Sequence, residues 1–183
     1  MSTRYKFRDN DKLYFVSFSV VYWIDVFIRN EYKQVLLNSL EFCKKEKGLE
    51  VYAWCIMTSH VHLIIGTNNQ SLDSIMRDFK SYTSRELRKS IQNNSFESRK
   101  EWILWMMKRA GLKNGNNKDF QFWQQRNHPI ELSKFDIMKQ KLDYLHNNPV
   151  VEGFVDKAEE YLYSSARDYY GTAKGLLSIR MIE

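Results

Sequence analysis

The stretch from Tyr52 to Ile65 constrains this chain more than any other. Its fourteen residues are apolar apart from the break at Thr58-Ser59 and the histidines that follow it, which reads as two strands around a short turn. Side chains on a strand alternate between faces, so residues two apart point the same way. Val61, Leu63 and Ile65 therefore bury one face of the second strand, while His60 and His62 project from the other. The chain has only four histidines, and two of them share this face. Such a pair suits half of a metal site, and it suits a hydrogen-bonded surface pair equally well. The choice depends on finding a third ligand and a reactive group.

The flanking patterns supply an architecture. Leu13 to Val21 is rich in β-branched and aromatic residues and reads as a strand. Glu31 to Lys47 carries Val35, Leu36, Leu40 and Cys43 at helical spacing and is closed by Gly48. The two middle strands span roughly Leu49–Met57 and His60–Gly66. Ser71 caps a helix running to about Ile91, with Leu72, Ile75, Met76, Phe79, Thr83 and Leu87 on its buried stripe. A short helix over Trp102–Met107 and a Gly/Asn-rich loop over Gly111–Lys118 follow. Phe120–Trp123 has the look of a short edge strand. The last long helix opens on Ser133-Lys134-Phe135-Asp136, a capping-box-like pattern, with Phe135, Met138, Leu142 and Leu145 facing the core. Pro149 sets its end at Asn148. The order β-α-β-β-α points to an antiparallel sheet covered by helices, an α+β fold.

Charge is unevenly spread. The net balance is +6, yet Arg77 to Lys118 alone holds eleven Lys and Arg against four Asp and Glu. A solvated helix face accounts for such a run. Its position directly after the histidine strand also suits a phosphate-binding surface, with Arg77, Lys80, Arg85 and Arg88 as candidate contacts. Trp123 is a candidate for stacking on unpaired bases. Cys43 and Cys55 sit in apolar patterns far from any C-x-x-C spacing, as small core residues of a reducing compartment do. The charged first residues lack a signal-peptide core, and no apolar run approaches the ~20 residues of a membrane helix. A soluble intracellular protein with no membrane partner is expected.

The last helix offers what the histidine pair lacks. Tyr144 lies about 200° around the helix from Leu142, and Asn148 is one turn further on, so the two share a face, with Lys141 just before them. If that face meets the histidines, Asn148 presents a carboxamide oxygen as third ligand and a phenol hangs beside it. Two imidazoles and one oxygen leave coordination positions open, as a catalytic metal requires. Ordinary helix packing explains Tyr144 from spacing alone. Tyr82, on the basic helix, is the rival nucleophile, but the residue four positions on is Glu86.

Ile56-Met57-Thr58-Ser59-His60-Val61-His62-Leu63-Ile64-Ile65 resembles the HUH strand of the single-tyrosine HUH-type transposases. Asp143-Tyr144-Leu145-His146-Asn147-Asn148-Pro149-Val150-Val151-Glu152-Gly153-Phe154-Val155 resembles the nucleophile helix of one branch, the REP-associated tyrosine transposases. Phe79-Lys80-Ser81-Tyr82-Thr83 and Tyr163-Ser164-Ser165-Ala166 are similar to further family segments, and the likeness runs from about Leu13 to Tyr170. It implies a ferredoxin-like core of the HUH endonuclease type, with His60, His62 and Asn148 as metal ligands and Tyr144 as nucleophile. It also implies a divalent metal, Mg²⁺ or Mn²⁺, and single-stranded DNA containing a foldback hairpin, cut through a 5′-phosphotyrosine intermediate. Lys141 is a possible auxiliary. His128 matches a recurrent family histidine, and a core role suits it as well as a DNA contact.

The chain departs from the family around Trp123 to Pro129 and at Glu131, where a basic residue is usual. Residues 94–118 look like an insertion or flexible loop within a single catalytic domain spanning 1–183. A monomer or homodimer in the prokaryotic cytoplasm, associated with the nucleoid, follows from the resemblance. Two other functions fit the same residues. One is a phosphodiester hydrolase using His60, His62, Asn148 and water. The other is a catalytically silent single-stranded nucleic-acid-binding module.

Overall fold

Four strands build the sheet: β1 (Tyr14–Ser19), β2 (Leu49–Ile56), β3 (His60–Thr67) and β4 (Ile130–Glu131). They lie in the order β2-β3-β1-β4, and every neighbouring pair is antiparallel. Among the described residues, five α-helices accompany them: α1 (Asn30–Lys47), α2 (Leu72–Asn93), α3 (Lys100–Leu112), α4 (Phe135–Val151) and α5 (Ala166–Tyr170). This computed structural model describes residues 7–68, 70–115, 119–125, 129–171 and 173–182. The arrangement is the α+β fold that the residue pattern predicts, with the antiparallel core that the family resemblance implies.

Alternation sorts the two faces of the sheet. Tyr14, Val16 and Phe18 of β1, with Val61, Leu63 and Ile65 of β3, join the larger core formed with α1, α2 and α3. Phe15, Ala53, Cys55 and Ile64 face the other way and pack with Leu145 of α4. The predicted stripe of α2 (Leu72, Ile75, Met76, Phe79, Thr83 and Leu87) is fully buried. Its cap forms as expected, Ser71 Oγ accepting from the Ser74 N–H at 3.5 Å. Gly48 closes α1 in the left-handed conformation at φ +67°, which glycine adopts without a Cβ clash. Cys43 and Cys55 are buried free thiols.

Several boundaries differ from the sequence reading. Phe120–Trp123 makes only an isolated bridge, Val20 to Trp123, and the fourth strand is the two-residue β4, too short to leave a period. The helix read over Trp102–Met107 extends from Lys100 to Leu112; residues 116–118 of the loop beyond it lie outside the described residues. Helix α4 begins without a side-chain cap on its N-cap residue, Lys134. Phe135, expected inside, is 65% exposed. The helix also continues past Asn148 to Val151, because Pro149 falls in the final turn. There it forfeits one N–H, while the Glu152 and Phe154 N–H groups donate to the Asn148 and Pro149 carbonyls at 3.0 and 2.9 Å. Gly153, at φ +74°, ends the turn.

One segment is strained. After β1 the chain makes a tight turn in which Tyr22 and Trp23 have φ of 56° and 55°. A side chain in that region costs about 1–2 kcal/mol. Buried Val20, Val21, Ile24, Val26 and Phe27 on either side hold it in place. So do backbone bonds from Val20 N–H to the Ser59 carbonyl and from Val21 N–H to the Phe122 carbonyl, each 2.8 Å.

Candidate active site

The site forms where β3 passes beneath α4. Cross-strand neighbours of His62 are Ser17 and Cys55, and Ser19 stands opposite His60. These small residues leave room for two imidazoles side by side, with ring centroids 4.8 Å apart. From α4, Asn148 brings Oδ1 to 3.3 Å from His60 Nε2. Tyr144 sets its ring edge-on to His62 at 5.3 Å between centroids. Lys141 places its ammonium 5.6 Å from the Tyr144 ring centroid and 5.3 Å from that of Phe15. The face of α4 read from sequence therefore meets the histidine face.

Burial sets the electrostatics. His62 is 3% exposed, and neither ring nitrogen has a hydrogen-bond partner among the described residues. Desolvation, then the neighbouring His60 and Lys141, pushes its pKa down to about 3. Desolvation also lowers His60, partly offset by its contact with Asn148 and by the charges of Glu152 and Asp25. Both rings are thus neutral at physiological pH, the form in which imidazole binds metals. Ser59 Oγ lies 3.3 Å from His60 Nδ1 and orients that ring. Asn148 is 8% exposed, whereas Tyr144 is 49% exposed. His62 and Asn148 are buried, His60 is half-buried, and the phenol is open to a substrate.

Residues present fit a divalent ion. An unpartnered buried imidazole is costly in a protein without a metal. The 3.3 Å between His60 Nε2 and Asn148 Oδ1 also suits adjacent donors about 2.1 Å from one ion. No group of three or more His, Cys, Asp or Glu that could hold a metal occurs among the described residues, so an amide would have to complete the set. A cavity of about 810 Å³ between α1 and α2 lies on the opposite side of the sheet.

Two aromatics that sequence reasoning missed frame the site. Phe15 stacks on His62 at 5.5 Å and meets Tyr144 edge-on at 6.1 Å. Its alternation with Ser17 and Ser19 along β1 was the available signal. Trp23 meets His60 edge-on at 5.5 Å, and no periodicity foretells a residue on a strained turn.

The basic candidates lie elsewhere. The buried stripe of α2 joins the core on the sheet face opposite the histidines, so Tyr82 is separated from them by the sheet. Arg77, Arg85 and Arg88 are exposed; Arg88 sits over the Phe120 ring at 4.7 Å. Lys80 instead turns inward, donating to the Gln124 carbonyl at 3.0 Å, and burial lowers its pKa to about 8. It braces the 120s segment and lines a shallow cavity of about 490 Å³ together with Arg85 and Arg88. Trp123 is core, 5% exposed, with Nε1 donating to Thr83 Oγ1 at 3.0 Å. His128 lies outside the described residues.

Comparison with known proteins fits this geometry. The family model for IS200-like transposases matches residues 14–108, over half the chain. The chain belongs to the IS200-like transposase family. The matched span takes in His60, His62 and all of α2, and ends before α4. Among solved structures, the transposase fold is similar to a REP-associated tyrosine transposase bound to a REP hairpin. That likeness has a TM-score of 0.64 and 19% identity, and covers 100% of both chains. A second structure, described as a transposase of Deinococcus radiodurans R1, aligns at TM-score 0.45 and 18% identity over 74% of this chain and 88% of its own. No curated protein matches this transposase. No helix among its described residues is long and apolar enough to cross a membrane.

Proposed function

We propose that this transposase is a metal-dependent nickase and strand transferase for single-stranded DNA bearing a foldback hairpin. It acts as one catalytic domain, monomer or homodimer, in the prokaryotic cytoplasm at the nucleoid. A single observation carries the reading: Tyr144 and Asn148, from one face of α4, converge on His62 and His60. The hairpin held by the structural neighbour supports the choice of DNA.

The groups divide the work. His60, His62 and Asn148 would hold Mg²⁺ or Mn²⁺, which when bound polarises and orients the scissile phosphate. Tyr144 is the nucleophile. The Lys141 ammonium stands beside it, 5.6 Å from the ring centroid. Attack by Oη forms an O–P bond and breaks the bond from phosphorus to the 3′ oxygen, which takes up a proton as a free 3′-OH. The 5′ side of the cut stays attached as a phosphotyrosine. Because the ester is retained, a 3′-OH from another strand can reverse the step without ATP. Phe15 and Tyr144 pack over His62 and shield it from water.

The test is a denaturing gel of labelled hairpin-bearing DNA incubated with Mn²⁺ or EDTA, wild type beside Tyr144→Phe. Wild type should form a covalent protein–DNA species only with metal. The Phe variant should form none, yet bind DNA and melt within about 0.5 kcal/mol of wild type, because the exchange is at an exposed position. An adduct in Tyr144→Phe refutes the assignment; cleavage without any adduct favours water as nucleophile.

A further inference from the structure

The turn after β1 is poorly explained by folding alone. Tyr22 and Trp23 are consecutive non-glycine residues in the left-handed region, and strain of this kind persists where function requires it. Neither ring is used for the core: Tyr22 is 45% and Trp23 58% exposed, while the five apolar residues around them are buried. One edge of this turn reaches the active site, where Trp23 meets His60 at 5.5 Å. On its other side opens a shallow cleft of about 480 Å³, lined by Tyr22, Trp23, Lys113, Gln121 and Gln124 among others.

Aromatic faces, carboxamides and one exposed cation beside a phosphate site are what an unpaired nucleotide needs. The base stacks on a ring, its edge meets amides, and its backbone meets the cation. We propose that the Tyr22–Trp23 turn is a stacking platform holding an unpaired base next to the phosphate at His60. Selection of the sequence beside the cut then occurs here, apart from any grip on the hairpin. This inference rests on the reading of the site as a DNA-cleaving centre. It goes further in assigning a specificity role to two residues that make no contact with Tyr144 or Asn148 among the described interactions.

The experiment compares a blunt DNA hairpin with the same hairpin carrying a short unpaired tail that contains 5-iododeoxyuridine. All proteins carry Tyr144→Phe, so no DNA is consumed. Irradiation should cross-link the tail to Tyr22 or Trp23, as mapped by peptide mass spectrometry. Adding Trp23→Gly should weaken binding of the tailed hairpin by about 5- to 150-fold, the range for one stacked base, and leave the blunt hairpin unaffected. Glycine tolerates the left-handed backbone, so the melting temperature should not fall, which separates loss of the platform from loss of fold. Trp23→Phe should restore most of the affinity. Cross-links confined to other segments overturn the proposal. So does equal loss for both DNAs, no loss for either, or a tailed hairpin that binds no better than the blunt one. A cross-link at Trp23 in a protein whose wild type forms no covalent adduct would remove the catalytic reading and leave the platform standing.

Discussion

Replacing His62 with leucine should make the metal-free protein more stable while abolishing its response to metal. The imidazole is 3% exposed, and both ring nitrogens lack a hydrogen-bond partner among the described residues. A buried polar group left unpaired costs about 1–3 kcal/mol. Leucine fills a similar volume between Ser17 and Cys55, so little cavity opens, although the stacked contact with Phe15 is lost. A net gain of about 1–2 kcal/mol is expected, or roughly 2–8 °C in Tm for a chain of this size. Thermal and urea unfolding in EDTA measure it directly. With Mn²⁺ the order should reverse. Wild type gains about 2.7 kcal/mol at a hundredfold excess over its Kd, and the variant gains little. A variant that is less stable than wild type in EDTA, or equally stabilised by Mn²⁺, would refute the argument that His62 is kept at a cost for a ligand.

Other perturbations probe the frame around the site. Glu97 is 3% exposed and accepts from Arg29 Nε at 2.7 Å and from the Arg99 N–H at 3.2 Å. Burial pushes its carboxyl up, but those hydrogen bonds and both guanidinium charges more than offset it and hold the pKa below the usual range. Its contribution is therefore present above the unfolded value, near pH 4.3, and is lost as pH falls through the lower folded value. Glu97→Gln should lower stability at pH 7 by about 1–2 kcal/mol, and the gap in urea midpoints should narrow below about pH 4. Thr83→Val strands Trp123 Nε1 and should cost about 1–3 kcal/mol in the same assay. Arg85→Glu with Arg88→Glu should weaken hairpin binding for all sequences and lower the salt slope by about 1 per lost phosphate contact. Because α2 lies across the sheet from Tyr144, adduct formation at saturating DNA should keep its rate; a fall there would place these arginines in the chemistry.

Legibility followed periodicity. The stripe of α2, the cap at Ser71, the close at Gly48 and the strand pair around Thr58-Ser59 each come from patterns repeated over a turn or more, and the structure has all of them. Where the pattern is short the reading failed. Two residues of β4 carry no alternation, and Phe120–Trp123 satisfied a strand template while its aromatics were recruited to the core under α2. Phe135 fits the spacing of its helix yet lies on the first turn, before the helix reaches the sheet. Pro149 was read as a stop because it disfavours helical geometry at Asn148, yet the helix runs on and forfeits one donor there. In the last turn of α4 that donor is dispensable.

The site divides along the same line, with a consequence for how such sites can be found. His60 and His62 share a face by the two-residue repeat of a strand, and Tyr144 and Asn148 by the four-residue repeat of a helix. Local geometry thus delivers two halves that the fold brings together. What joins them is long-range: Leu145 of α4 seating against Phe15, Ala53 and Ile64 on the histidine side of the sheet. That contact turns Tyr144 and Asn148 toward the imidazoles, and sequence spacing fixes only the angle between Leu145 and the two polar residues. Charge gave no such guide. The basic run of α2 is adjacent to the histidines in sequence but lies on the other face of the sheet, because β3 presents Val61, Leu63 and Ile65 to it. Proximity along the chain therefore does not tell which face the cations take, while facing geometry brings Tyr144 and Asn148 to the histidines.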